Sequence, residues 1–156
     1  SVRVSGSIAA SKYDDGSLSR YRFYKYFKAC DVECDLEIFV FPQTSGGEVI
    51  SVLINYEDLT DASLDVAQLP TWNNEPAWSA SLKVGSVVTI EGNEPWFYEH
   101  HGKQINDEQD KDRAISRGYY IIGVQSYNDV SYVIEATTKY KDHFFVNETD
   151  KPIDAK

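Results

Sequence analysis

The chain has 156 residues, enough for one domain with a buried core and no external staples. Apolar residues make up 42% and charged residues 26%, which excludes an intrinsically disordered chain. Fifteen Lys and Arg stand against 25 Asp and Glu, a formal charge of −10 that argues against nucleic acid and anionic lipid, both of which need clustered cations.

No apolar run approaches the roughly 18 to 20 residues of a membrane helix, so no membrane insertion is expected. The chain begins at Ser1 and contains no Met, and it reads as a processed protein or an excised domain. In chain order, the first clear pattern is "SRYRFYKYFKA" over 19–29, where Tyr21 and Phe23 alternate with Arg22 and Tyr24. That period of two, in aromatic-rich sequence, predicts a strand.

The next stretch, "ACDVECD", holds both cysteines, Cys30 and Cys34. On one straight strand they would stand roughly 13 Å apart, too far to bridge. A tight turn through Asp31, Val32 and Glu33 brings them within range and favours a disulfide; the alternative is two small, partly buried thiols. "DLEIFVFP" then sets Leu36, Ile38 and Val40 on one face and Glu37, Phe39 and Phe41 on the other, until Pro42 stops it. After Gly46 and Gly47, "EVISVLI" over 48–54 is a further strand, and "SVVTIEG" over 86–92 another. Helical periodicity is sparse; 58–68 holds at most a short helix.

The last strong pattern is "RGYYIIGVQSYNDVSYVIEATTKY", 117–140. Asn128 and Asp129 tolerate hairpin-turn geometry, so it reads as a hairpin. The first arm is apolar on both faces, while Tyr132, Ile134 and Ala136 alternate with Glu135, Thr137 and Lys139 in the second. A strand buried on both sides beside one that faces water predicts the middle and flank of an antiparallel sandwich. The fold class expected is therefore all-β, with little or no helix and long polar loops at 55–69 and 92–117. One domain is expected over 1–145, followed by a charged tail or linker at 146–156.

Chemistry-bearing residues are few. His100, His101 and His143 are the only histidines, and no G-x-S-x-G or phosphate-binding glycine loop is present. Adjacent histidines on a strand point to opposite faces, so "YEHHGK" makes a poor metal site. No catalytic residue is expected, and the chain reads as a non-enzyme. Asn106, Glu108, Asp110 and Asp112 recur at every second position in "INDEQDKDRA", an oxygen-rich pattern suited to calcium. The plainer reading is a solvated acidic face. "EPWFYEHHG" offers Trp96, Phe97, Tyr98, His100 and His101 as a contact surface, since loop aromatics stack on sugars or anchor protein partners. The competing reading has Trp78 and Trp96 plugging the sandwich ends. Asn147-Glu148-Thr149 is a glycosylation sequon and fits a secreted or cell-surface protein.

Taken together, Asp35-Leu36-Glu37-Ile38, then Pro70-Thr71 with Trp78, then Gly118 to Val124 follow one another in an order that resembles the bacterial pre-peptidase C-terminal domain family. Its collagen-binding-like relatives include repeat modules in protist surface proteins. The resemblance runs roughly from Arg20 to Thr138, with "GGEVISVLINYEDL" where the family usually has "GDPDLY". It implies a jelly-roll-like β-sandwich, non-catalytic, appended to or repeated within a secreted protein. Such modules bind, adhere or assist maturation, and some hold calcium. The partner expected is a protein or glycan at the cell surface, or neighbouring copies in self-assembly. Carbohydrate recognition and a projecting domain of a viral coat are the alternative readings.

Overall fold

The computed structural model describes residues 1–9, 18–43, 50–58, 68–82, 87–99 and 115–141. Among them lie eight strands: β1 Val2–Ile8, β2 Tyr21–Lys28, β3 Cys34–Pro42, β4 Ile50–Asp58, β5 Trp78–Leu82, β6 Val87–Ile90, β7 Gly118–Gln125 and β8 Val130–Tyr140. A five-residue helix, α1, covers Pro95–Glu99. The strands form two four-stranded sheets, sheet A in the order β1-β8-β3-β6 and sheet B in the order β2-β7-β4-β5. Every pairing is antiparallel. The fold is an all-β sandwich.

Alternation in the sequence decides what each strand buries. Leu36, Ile38 and Val40 of β3 point inward while Glu37, Phe39 and Phe41 are half-buried on the outside. Tyr132, Ile134 and Ala136 of β8 meet them, and Val52, Ile54, Ile122 and Val124 supply the inner face of sheet B. At the open side of the sandwich, hydroxyls close the gap between the sheets. Tyr24 and Tyr132 hydroxyls lie 2.6 Å apart, and Tyr26 and Thr138 hydroxyls 2.9 Å. Gly6 of β1 leaves room for the first pair: a Cβ there would stand 2.6 Å from the Tyr132 ring. β1 itself is an edge strand paired to β8 from Val2↔Ala136 to Ile8↔Val130.

The expected hairpin over 117–140 is not one. β7 lies between β2 and β4 in sheet B, and β8 lies between β1 and β3 in sheet A, so the two arms never pair. Residues 126–129 instead carry the chain across the roughly 10 Å between layers. Ser126 holds that crossing: its Oγ donates to the Asn128 carbonyl at 3.0 Å and accepts from the Asn128 amide at 3.1 Å. Arg20 pins it from below, donating to the Tyr127 carbonyl at 3.2 Å. A strand apolar on both faces gains more as the middle of a covered sheet than as one arm of an isolated hairpin.

Candidate functional site

In β2, Tyr21, Phe23, Lys25 and Phe27 face outward, opposite Gln125, Gly123, Ile121 and Tyr119 of β7. Residues directly opposed on neighbouring strands share a face, so aromatic rings collect along this side of sheet B. Tyr21 and Phe23 stack 5.6 Å apart at 6°, and Phe27 packs on Tyr119 at 4.9 Å. The Lys25 ammonium stands 5.2 Å from the centre of the Tyr119 ring.

Part of this face is already covered. The chain from Gln68 to Ala77 runs over it as a strap. Asn55 Nδ2 donates to the Gln68 carbonyl at 3.1 Å, the Trp72 amide donates to the Tyr21 hydroxyl at 3.1 Å, and Trp72 Nε1 donates to Gln125 Oε1 at 3.2 Å. The Ala77 amide returns to Asn55 Oδ1 at 2.9 Å. Gly123 lets the strap approach, because a Cβ there would lie 2.8 Å from the Pro70 carbonyl. Leu53 and Ile121 are buried although they point away from the core. What remains open is the end carrying Phe27, 46% exposed, with Trp72, 43% exposed, at the strap. Phe27 and Tyr119 are held by strand backbone and Trp72 by the strap, so these apolar rings can meet a ligand without reordering.

Beside that open end lies the Cys30–Cys34 loop. The two sulfurs are at bonding distance and their Cα atoms 6.0 Å apart, as a disulfide requires. The expected turn is present, with the Cys34 amide donating to the Asp31 carbonyl at 3.2 Å. Its organiser is Lys28, which has no exposed surface. The ammonium donates to the carbonyls of Asp31 at 3.0 Å and Cys34 at 2.8 Å, and to Ser116 Oγ at 2.9 Å. All three protons are used. Burial lowers its pKa from the ordinary 10.5 to about 8, with Asp31, Asp35 and Glu33 opposing that shift.

No protein-family model, curated protein or solved structure matches the chain.

The expected contact surface at Trp96 to His101 is divided by the structure. Phe97 is wholly buried and belongs to the core, so it is not a ligand-binding residue. The reason is local: 95–99 form helix α1, which turns Phe97 inward against Tyr56 at 5.3 Å and Trp78 at 5.5 Å. Trp96 is half-buried, edge-on to Tyr56 at 6.1 Å and tilted on Trp78 at 5.1 Å, so both tryptophans plug this end of the sandwich. Tyr98 is 44% exposed. His100 and His101, the acidic series Asn106, Glu108, Asp110 and Asp112, His143 and Asn147 lie outside the described residues. Among the described residues no group of three or more His, Cys, Asp or Glu is placed to hold a metal.

The outer face of sheet A offers a second surface, a shallow cleft of about 550 Å³ lined by Asp35, Glu37, Glu91, Lys139 and Lys141 among others. Two of its charges, Lys141 and Asp35, are engaged with one another. Lys141 Nζ reaches Asp35 at 3.1 Å and Asn93 Oδ1 at 2.8 Å, so Lys141 ties the start of β3 to the turn after β6. The aromatic strip of sheet B, which sequence reading missed, is the better surface. Its signal was the outward set Tyr119 and Ile121 in a strand apolar on both faces, beside the outward Tyr21 and Phe23 of β2.

Proposed function

We propose that the chain is a non-catalytic binding and adhesion module of a larger secreted or surface-exposed protein, engaging its partner through the open end of the outer face of sheet B. The carrying observation is the pair Phe27 and Tyr119, packed ring on ring at 4.9 Å on neighbouring strands with Phe27 46% exposed. Rigid exposed aromatics on strands are typical anchors of recognition surfaces. The interleaved strand orders support a jelly-roll-like winding, in which eight strands wrap as two sheets. The bonded geometry of Cys30 and Cys34 supports an oxidising compartment. The ordered segments that resemble the pre-peptidase C-terminal family point the same way. Carbohydrate recognition is favoured within this reading, because an exposed ring such as Phe27 offers apolar surface to a sugar.

The test sets the wild-type chain beside a Phe27→Ala, Tyr119→Ala variant on arrays of glycans and extracellular proteins, with thermal melts to verify folding. The wild type binds at least one ligand class, and the folded variant loses it. No binding on either array, or binding indifferent to loss of the two rings, sinks the proposal.

A further inference from the structure

We infer that the Cys30–Cys34 disulfide is a redox latch, opened by a dithiol in the folded protein, that fastens the two sheets together at one end of the sandwich. The loop it closes meets an element end on every side. Lys28, the last residue of β2, donates to the carbonyls of Asp31 at 3.0 Å and Cys34 at 2.8 Å, and to Ser116 Oγ at 2.9 Å. The Ser116 amide, two residues before β7, donates to Asp31 Oδ1 at 2.6 Å. From sheet A, the Lys141 amide just beyond β8 donates to the Glu33 carbonyl at 3.0 Å. The turn after β6 presses on the same loop, since a Cβ on Gly92 would collide with the carbonyls of Asp31, Val32 and Cys34. The five residues from Cys30 to Cys34 thus tie β2 and β7 of sheet B to β6 and β8 of sheet A.

Closing a ring of only five residues removes little freedom from the unfolded chain, so the bond adds less to global stability than a long-range disulfide would. Its local effect is larger. The Asp31 and Cys34 carbonyls converge on one buried ammonium because the bond folds the chain between them back on itself. The surroundings also favour opening. Cys30 keeps 7% of its surface exposed and Cys34 none, so an incoming thiolate attacks Cys30 Sγ. The S–S bond breaks and its electron pair leaves on Cys34 Sγ; the second thiol of the reductant then attacks the mixed disulfide and releases Cys30. Two electrons and two protons pass to the protein, and the dithiol becomes a disulfide. Cys34 Sγ lies 3.4 Å from the Asp31 carbonyl oxygen, the same oxygen that holds the Lys28 ammonium, so a cation stands near the leaving thiolate. The carboxylates around it are already engaged: Asp31 by the Ser116 amide, Glu33 by the Asp31 amide, and Asp35 by the Gly92 amide and Lys141. In the reduced protein the Cys34 thiolate competes with the two carbonyls for Lys28, and the loop lets go of Ser116 and Lys141.

The experiment is residue-resolved hydrogen exchange of the whole chain by NMR, first oxidised and then in dithiothreitol, with alkylation and mass spectrometry counting the free thiols. Under native conditions dithiothreitol reduces the bond, and the Asp31, Cys34, Ser116 and Lys141 amides exchange about tenfold faster. At the far end of the sandwich the Gln43 and Ser126 amides, bonded to the Ser131 and Arg20 carbonyls, keep their rates. The thermal transition stays cooperative, and oxidised glutathione restores the original exchange. A Cys30→Ala, Cys34→Ala variant shows the fast rates without reductant and does not respond to dithiothreitol; the wild-type comparison needs no variant to fold. A bond that dithiothreitol opens only in denaturant overturns the inference, because the latch is then out of reach in the folded protein. Unchanged exchange at Ser116 and Lys141 after complete reduction overturns it as well. So does loss of the cooperative melt, or uniform acceleration across both sheets, which would make the disulfide a staple for the whole fold.

Discussion

Lys28 shows what one residue does for this fold. A lysine with no exposed surface is rare, and it is tolerated here because its three protons meet the Asp31 and Cys34 carbonyls and Ser116 Oγ. Lys28→Met keeps the volume but removes a donor from each of those acceptors, the Asp31 carbonyl keeping only the Cys34 amide, and a loss of about 1–3 kcal/mol is expected in chemical denaturation. Phe97 and Tyr98 make a second contrast, adjacent in sequence but opposite in burial. Phe97→Ala removes a core ring and is expected to cost about 3–5 kcal/mol, whereas Tyr98→Ala costs less than about 1 kcal/mol. Similar losses for both, read from denaturation midpoints, would contradict the placement of α1. In the sequence the two were equivalent members of one aromatic run, because a five-residue helix carries too little periodicity to show which ring turns inward.

At the scale of elements, the strap from Gln68 to Ala77 depends on Gly123 beneath it. Gly123→Ala places a methyl 2.8 Å from the Pro70 carbonyl, so either strap or strand must shift. A destabilisation of about 1–3 kcal/mol is expected. Hydrogen exchange locates it: the Trp72 and Ala77 amides, bonded to Tyr21 and Asn55, exchange faster, while the β3 and β8 ladder is unaffected. Uniform loosening of both sheets would show that the strap is not a separate unit. The strands themselves were legible: 19–29, "DLEIFVFP" and both arms of 117–140 became β2, β3, β7 and β8, with the inner face of β3 as its alternation predicts. Their partners were not. The turn at Asn128 and Asp129 reads as a hairpin because local residues report the bend and not which sheet receives the chain after it. β1 went unread because Gly6 and alternating serines dilute its apolar set Val2, Val4 and Ile8.

For the whole molecule, buried ionisable groups set the alkaline stability profile. Lys28 holds its proton to about pH 8 when folded and to about 10.5 when unfolded, so between those values the unfolded chain binds the extra proton and stability rises with pH. Burial raises the Tyr120 and Tyr132 phenols above their ordinary 10.0, so above that value the unfolded chain sheds protons the folded one keeps, and stability falls. A maximum near pH 10 is expected in denaturation series, and in Lys28→Met the rise from pH 8 is absent. A wild-type profile already falling from pH 8 would mean that Lys28 is not buried as described. The sequence alone determined the all-β class, the inward faces of β3 and β8 and the reach of Cys30 to Cys34 through a tight turn, because alternation and turn chemistry are properties of a few neighbouring residues. Only the tertiary structure decided that Phe97 is core, that the strap runs over part of the outer face of sheet B, and that Phe27 meets Tyr119 across neighbouring strands. Those outcomes depend on which distant strand lies alongside and on what covers each outward face, and neither is encoded within a single strand.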